Sequence, residues 1–137
     1  MTTISEAIRQ VRAEYIDAGK AASAAEINAG LCEEFAQDVA IRVKGACLVG
    51  VEEFQMGLDG DPTENDVFDW DLLRTHWKVG PPGDLTEQQA NQLGIGWHVW
   101  IVLNGVHYDA ECPEGTRSFF DLPCLARQIT TATTALS

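Results

Sequence analysis

The segment GWHVWIVLNGVHYDAECPEG, residues 96–115, contains two β-like runs on either side of Asn104-Gly105. An Asn-Gly pair between alternating runs predicts a β-hairpin, because a type I′ turn needs positive φ at both central residues. With a two-residue turn, Val102 pairs with His107, and every pair further from the turn follows from that one. The sequence therefore predicts a hairpin whose register is fixed by its turn.

This register collects polar side chains on one face of the hairpin. It places Trp100 opposite Asp109 and His98 opposite Glu111, and directly opposed residues share a face. The His98 imidazole then lies within reach of both carboxylates, because Cβ separations there are about 5–8 Å. Two interpretations stay open, a solvated hairpin face or half of an active site, and the large indole of Trp100 favours the second. The opposite face is apolar and is predicted to be the core side: Val99, Ile101, Leu103, Val106, Tyr108 and Cys112.

A second candidate group is the thiol of Cys32, in the first turn of a predicted helix. The helix is indicated by apolar residues at a period of 3.6: Leu31, Phe35, Val39 and Val43. First-turn amides and the helix dipole favour a thiolate, and the same amides can serve as an oxyanion hole. Glu33 and Glu34 raise the thiol pKa, so a thiolate here needs an imidazolium partner. Without that partner, Cys32 is a small core residue.

The segment GLCEEFA, residues 30–36, resembles the nucleophile helix of transglutaminase-like cysteine enzymes with the papain-like fold. In that helix a small residue precedes the cysteine by two positions and an aromatic residue follows it by three. HVW, a hairpin turn and YDA are similar to the His and Asp strands of the same superfamily, and the chain order Cys, His, Asp agrees. The resemblance implies Cys32 as nucleophile, His98 as general base and acid, and Asp109 as the group that orients the imidazole.

The resemblance is incomplete around the triad. The interval from His98 to Asp109 is short for this group, and no upstream Gln is evident for the oxyanion hole. Asn28 and Gln55 are the candidates to replace it, although Asn28 is equally suited to cap a helix. Two further binding candidates come from the hairpin face: Trp100, and Glu111 as the alternative partner of His98.

The composition limits the partners. The chain has 9 basic and 21 acidic residues, for a net charge of −12, whereas nucleic acids and anionic membranes are bound by clustered Lys or Arg. We therefore expect a peptide or protein substrate, no nucleic acid and no membrane; the oligomeric state is not predicted. There is no signal-peptide pattern and no apolar run of about 20 residues, which predicts a cytoplasmic protein. The four cysteines form no CxxC pair, so neither a zinc ribbon nor a disulfide framework is indicated, and no cofactor is expected.

Three rival functions are possible. His107-x-Asp109 has the form of paired ligands in a two-His, one-carboxylate iron centre, but only His98 could complete it. The acidic segment 59–71 lacks the Gly and Glu positions of an EF-hand, which favours a solvated loop. The third rival is a non-catalytic peptide-binding module on the same scaffold, with four tryptophans as anchors: Trp70, Trp77, Trp97 and Trp100.

The sequence as a whole predicts a single α+β domain over residues 1–137, with a papain-like or transglutaminase-like core. The first helix is predicted to begin after Thr3, and an Ala-rich second helix to end before Asn28. These helices and the Cys32 helix are expected to pack on a small antiparallel sheet formed by residues 46–54, 97–103 and 106–112. The tail from about 130 to 137 is expected to be disordered. The predicted activity is thiol-dependent acyl transfer by a cysteine peptidase or amidase, with water or an amine as acceptor.

Overall fold

The computed structural model describes residues 3–56, 67–91 and 98–136 and has an α+β fold. Its helices are α1 (Ile4–Asp17), α2 (Ala24–Gly30), α3 (Cys32–Ala40), α4 (Trp70–Leu72), α5 (Glu87–Ala90) and α6 (Pro123–Leu136). Its strands are β1 (Cys47–Gly50), β2 (Gln55–Met56), β3 (Val67–Phe68), β4 (Val99–Leu103), β5 (Val106–Asp109) and β6 (Cys112–Thr116). Shorter turns are the 3₁₀ segments Val51–Phe54 and Phe119–Asp121 and the π-helical Leu73–Trp77. Within these ranges, no helix is both long and apolar enough to cross a membrane.

The main sheet has four antiparallel strands in the order β1-β4-β5-β6, and β2 pairs with β3 in a separate ribbon. Its central hairpin has the predicted register, with Val102 opposite His107. Asn104 and Gly105 adopt φ of 53° and 77°, as a type I′ turn requires. The prediction made from the Asn-Gly pair is confirmed.

Both faces of this sheet are buried. On one face, Val99 and Ile101 pack against α1, α2 and α3. On the other face, Trp100 and Val102 pack into a second apolar cluster, whose members come from segments before and after β4 in the sequence. The predicted core side is confirmed for Val99, Ile101, Leu103 and Tyr108, but Cys112 packs against the second cluster on the opposite face. The alternative of a solvated polar face is wrong. The second cluster includes several large side chains: Phe54, Phe68, Trp70, Leu73, Phe119, Phe120, Leu122 and Leu125.

The N-terminal helices follow the sequence prediction with two corrections. Helix α3 ends at Ala40, so Val43 of the periodic pattern lies beyond it in a turn. Thr3 caps α1 by accepting a hydrogen bond from the Glu6 amide, as expected. Helix α2 does not stop before Asn28 but continues to Gly30. The reason lies in tertiary contacts. Ile27 is fully buried against the other helices, and the side-chain amide of Asn28 donates a hydrogen bond to Glu111 and does not cap the helix.

Two elements near the C-terminus differ from the prediction. The strand predicted over 106–112 ends at Asp109, and a tight turn leads into β6, which the sequence did not predict. The Asp109 side chain closes this turn by accepting from the Glu111 amide, a common role for Asp in turns. Helix α6 continues to Leu136 where a disordered tail was expected. Its Ala and Leu residues are good helix formers, and Leu125 anchors it in the core.

Gly115 provides a test of the β5-β6 pairing. Its φ is +82°, and an added Cβ would lie 2.5 Å from Val106 Cγ1 and 2.6 Å from Tyr108 Cε1. Gly115→Ala should therefore lower the free energy of unfolding by about 1–3 kcal/mol, because the added methyl group overpacks this contact. The measurement is urea unfolding followed by circular dichroism. Gly30→Ala is the matched control, because no atom lies within 4 Å of its added Cβ. Equal stability of the two variants would contradict this pairing of β5 with β6.

Candidate functional site

Three elements bring Cys32, His98 and Asp109 together. Cys32 is the first residue of α3, His98 immediately precedes β4, and Asp109 is the last residue of β5. Helix α3 packs along β4, with Phe35 and Val39 in the same apolar cluster as Val99. The start of α3 therefore lies beside the start of β4.

His98 and Asp109 form a buried pair. The His98 Nε2 and Asp109 Oδ2 atoms are 3.2 Å apart, and both side chains are almost wholly inaccessible. The other carboxylate oxygen, Oδ1, accepts from the Glu111 amide at 2.9 Å. Trp100 stacks on the imidazole with ring centroids 5.8 Å apart. Both carboxylate oxygens and one face of the ring are therefore held by neighbouring groups.

The other imidazole nitrogen is the one left for Cys32. His98 Nδ1 has no partner in ordinary hydrogen-bond geometry among the described residues, yet thiol and ring are close enough to shift each other's pKa. We infer a close contact between Sγ and Nδ1 with imperfect hydrogen-bond geometry, since Nε2 already faces Asp109. Such a loose arrangement is common in enzymes without substrate.

The environment of Cys32 favours its thiolate. Burial raises the pKa of the thiol, but the contact with His98 and hydrogen bonds from the Val99 and Glu33 amides outweigh burial, and the pKa is lowered. Glu33 enters this balance through its backbone amide, which lowers the pKa of the thiol, and not through the carboxylate effect that was predicted for Glu33 and Glu34. At the helix start, the first α3 hydrogen bond runs from the Phe35 amide to the Leu31 carbonyl.

The environment of His98 favours its protonated form. Burial lowers the pKa of the imidazole, but Asp109 and then Cys32 overcome burial and raise the pKa to about 9. The shifts of the thiol and the ring have opposite signs. Together they favour a thiolate–imidazolium pair over the two neutral groups.

Glu111 does not occupy the position predicted for it. It lies in the β5-β6 turn, so it is not opposite His98, and its carboxylate is bound elsewhere. Arg127 donates two hydrogen bonds to it, each 2.8 Å, and Asn28 Nδ2 donates a third of 2.8 Å. The hydrogen bonds from Arg127 lower the pKa of Glu111, and the hydrogen bond from Asn28 lowers it further. Burial raises this pKa but is outweighed. The carboxylate that contacts His98 is that of Asp109.

The remaining predicted binding residues have other surroundings. Trp100 is fully buried and donates from Nε1 to His107 Nδ1 at 2.9 Å, so it supports the two histidines and does not line a groove. Asn28 is buried, with Nδ2 on Glu111 and Oδ1 without a described partner. Gln55 lies in β2, but its side chain is outside the described part of the chain, as are Trp97 and residues 59–66 of the acidic segment.

Arg127 is a site residue that the sequence reasoning missed. It lies on α6 and reaches Glu111, 16 positions earlier in the chain. No local motif marks it, because its role depends on how α6 packs against the sheet. The position of Glu111 in a turn was also missed. The one sequence signal for that turn is Asp109, because an Asp side chain can accept a hydrogen bond from the amide two residues later.

The rival metal site lacks a suitable geometry. Among the residues that the structure describes, no group of three His, Cys, Asp or Glu side chains is placed to hold an ion. His98 uses Nε2 for Asp109, and His107 uses Nδ1 for Trp100. The two imidazoles therefore engage different partners.

The thiol of Cys32 and the imidazole of His98 are closed off from solvent. Cys32 is only 2% exposed, and His98 is completely buried. A peptide cannot reach the sulfur in this conformation, so reaction requires the surrounding residues to open. Motions of this kind occur in many enzymes that exclude water from their sites.

Asp109→Asn and Glu111→Gln distinguish the two carboxylates. Asp109→Asn removes the charge that stabilises the imidazolium, so burial should dominate and the Cys32 pKa should rise, which slows alkylation at pH 7 by about tenfold or more. Glu111→Gln should change it much less. The measurement is the pH profile of Cys32 alkylation by iodoacetamide, read by mass spectrometry. A larger effect from Glu111→Gln would show that the wrong carboxylate has been assigned to His98.

No family model, no curated protein and no solved structure matches this chain. The interpretation of the Cys32, His98 and Asp109 cluster therefore depends on its geometry, and the transglutaminase-like resemblance supports it only as a proposal.

Proposed function

We propose that this protein is a thiol-dependent acyl-transfer enzyme, a cysteine peptidase or amidase that acts on a peptide or isopeptide amide. Cys32 is the nucleophile, His98 the general base and acid, and Asp109 the orienting group. The observation that carries the proposal is the buried imidazole of His98, held by Asp109 on one nitrogen and left for Cys32 on the other. A nucleophile, its base and a group that orients the base form the minimal constellation for covalent catalysis.

The reaction begins with attack of the Cys32 thiolate on the amide carbonyl carbon. A new C–S bond forms, and the carbonyl oxygen becomes an oxyanion near the start of α3. The Cys32 and Glu34 amides precede the first helical hydrogen bond, so they can stabilise that charge, while the Glu33 amide donates to the sulfur. His98 gives its proton to the amine as the C–N bond breaks, which leaves a thioester on Cys32.

Water or a second amine then releases the acyl group. His98, now neutral, takes a proton from the incoming nucleophile as it attacks the thioester carbonyl. The C–S bond breaks, and the sulfur leaves as a thiolate beside the reformed imidazolium. Asp109 keeps Nε2 in place through both halves of the reaction.

The wider setting of this function follows from the same features. A helix that carries the cysteine, packed on an antiparallel sheet that carries His and Asp, supports a papain-like or transglutaminase-like core. The four cysteines are all free thiols, which suits a reducing compartment, and we place the protein in the cytoplasm. The substrate is a peptide or protein segment, and one of its amide bonds is attacked by Cys32 at this buried site.

One observation favours a second candidate, a non-catalytic binding module on the same scaffold. Cys32 and His98 are closed off from solvent, as they would be if they served only to stabilise the fold. A buried charge pair of this kind can be retained for structure alone. Reactivity of the thiol distinguishes the two candidates.

A small activated ester tests the proposed chemistry. p-Nitrophenyl acetate should acylate Cys32 along a bell-shaped pH profile. The rate should rise below the ordinary cysteine pKa of about 8.5, because the Cys32 pKa is lowered. It should fall again as His98 loses its proton near pH 9. Acetyl-Cys32 is measured by mass spectrometry after short incubations.

His98→Gln should reduce the acylation rate of Cys32 at pH 7 by about tenfold or more, because the thiol loses the imidazolium that holds it as a thiolate. Exposed Cys47 is the internal control, and its rate should not change. Equal acylation of Cys32 in the wild-type protein and His98→Gln would overturn the enzyme proposal and favour the binding module.

A further inference from the structure

A second site lies at the other end of the β4-β5 hairpin, away from Cys32. A cavity of about 510 Å³ opens beside the Asn104-Gly105 turn. We call it the tip pocket and define it by the lining residues that matter here: Trp77, Lys78, Val102, Asn104, His107 and Arg117. Neither Cys32 nor His98 lines it.

The tip pocket is basic in an acidic protein. The chain has 21 acidic and 9 basic residues, yet no described residue in the pocket lining is acidic. Lys78 and Arg117 both line it, and neither has an ion-pair partner among the described residues. Five other basic residues are instead paired with carboxylates: Arg9, Lys20, Arg42, Arg74 and Arg127.

His107 adds a buried neutral donor to these two cations. The Trp100 indole can only donate, so His107 Nδ1 accepts its hydrogen bond at 2.9 Å and carries no proton. The neutral ring must then have its hydrogen on Nε2, and because His107 lines the pocket, Nε2 is the donor that it can offer to a ligand there. Burial lowers the pKa of His107 to about 4, so the ring stays neutral at physiological pH.

Trp77 supplies a flat apolar wall. Its indole is half-buried and held edge-on by Phe54, with ring centroids 5.0 Å apart, and it lies 5.9 Å from the His107 ring. Val102 adds an aliphatic contact. An apolar wall with a few convergent polar groups is the usual composition of a small-molecule site.

The backbone beside Trp77 is unusual in the same place. The π-helical segment Leu73–Trp77 ends at Lys78, which adopts a left-handed φ of 57°. Single π-helical turns and non-glycine residues with positive φ are both enriched at functional sites. Trp77 and Lys78, which are adjacent in the chain, both line the pocket.

We propose that the tip pocket binds an oxyanion, a carboxylate or a phosphate, carried on a flat apolar ring. Lys78 and Arg117 neutralise the charge, His107 Nε2 donates a hydrogen bond to one oxygen, and the ring packs against Trp77. Charge-assisted bonds of this type bind both oxyanions, and Arg offers two parallel donors to either. The site is independent of the Cys32 chemistry.

The test is titration of the intact ¹⁵N-labelled protein with benzoate, phenyl phosphate, inorganic phosphate and benzamide at physiological ionic strength. Benzoate or phenyl phosphate, or both, should give saturable shifts of the Lys78 and Gly105 amides and of the Trp77 indole. Whichever of these two binds more tightly identifies the oxyanion. Benzamide and inorganic phosphate should bind at least tenfold more weakly, because each lacks either the charge or the ring.

Lys78→Gln and Arg117→Gln should each weaken the binding of the tighter probe about tenfold, the loss of one charge-assisted hydrogen bond. Lys44→Gln is the matched control. It removes the same charge from an exposed residue near the hairpin that is not in the lining, so it measures the effect of net charge alone.

Three results would overturn the proposal. They are the absence of saturable binding of either aromatic oxyanion, equal binding of inorganic phosphate, and equal weakening by Lys44→Gln and Lys78→Gln. Cys32→Ala should leave the affinity unchanged. Failure at the tip pocket therefore says nothing against the acyl-transfer proposal, and failure of acylation says nothing against the tip pocket.

Discussion

The Asn104-Gly105 turn fixes the register of the two central strands, and that register decides what lies on each face of the sheet. A slip by one residue would exchange the two faces completely. In the observed register, Val99 and Ile101 pack against the N-terminal helices. His98 then lies where Asp109 can reach it from the neighbouring strand. The candidate site and the core are consequences of the same pairing.

Burying His98 and Asp109 together has a large cost, because both lose their hydration. The mutual contact, the Glu111 amide and the nearby thiol offset that cost, and loss of one partner of a buried pair typically costs about 3–5 kcal/mol. The contrast with His107 shows how local this effect is. Both imidazoles lie against Trp100, yet the pKa is raised to about 9 in one and lowered to about 4 in the other. Among the described residues, a carboxylate lies within hydrogen-bond reach of His98 but not of His107.

Features that depend on near neighbours in the chain could be predicted from the sequence. The Thr3 cap, the Cys32 helix and the hairpin turn each follow from a few consecutive residues. Features that depend on packing could not. The burial of the polar face required the second apolar cluster, and the position of Glu111 required the β5-β6 turn and Arg127 from α6. The sequence therefore left Asp109 and Glu111 as alternatives, and the tertiary contacts separate them.

The central claim is that Cys32 and His98 exist as a thiolate–imidazolium pair. The most direct measurement is the ¹⁵N chemical shift of both His98 ring nitrogens at pH 7 in the wild-type protein. If the pair exists, both nitrogens carry protons, and changing Cys32 to Ala or Asp109 to Asn lowers the pH at which the ring loses its proton. A neutral His98 ring at pH 7, unaffected by either substitution, would contradict it.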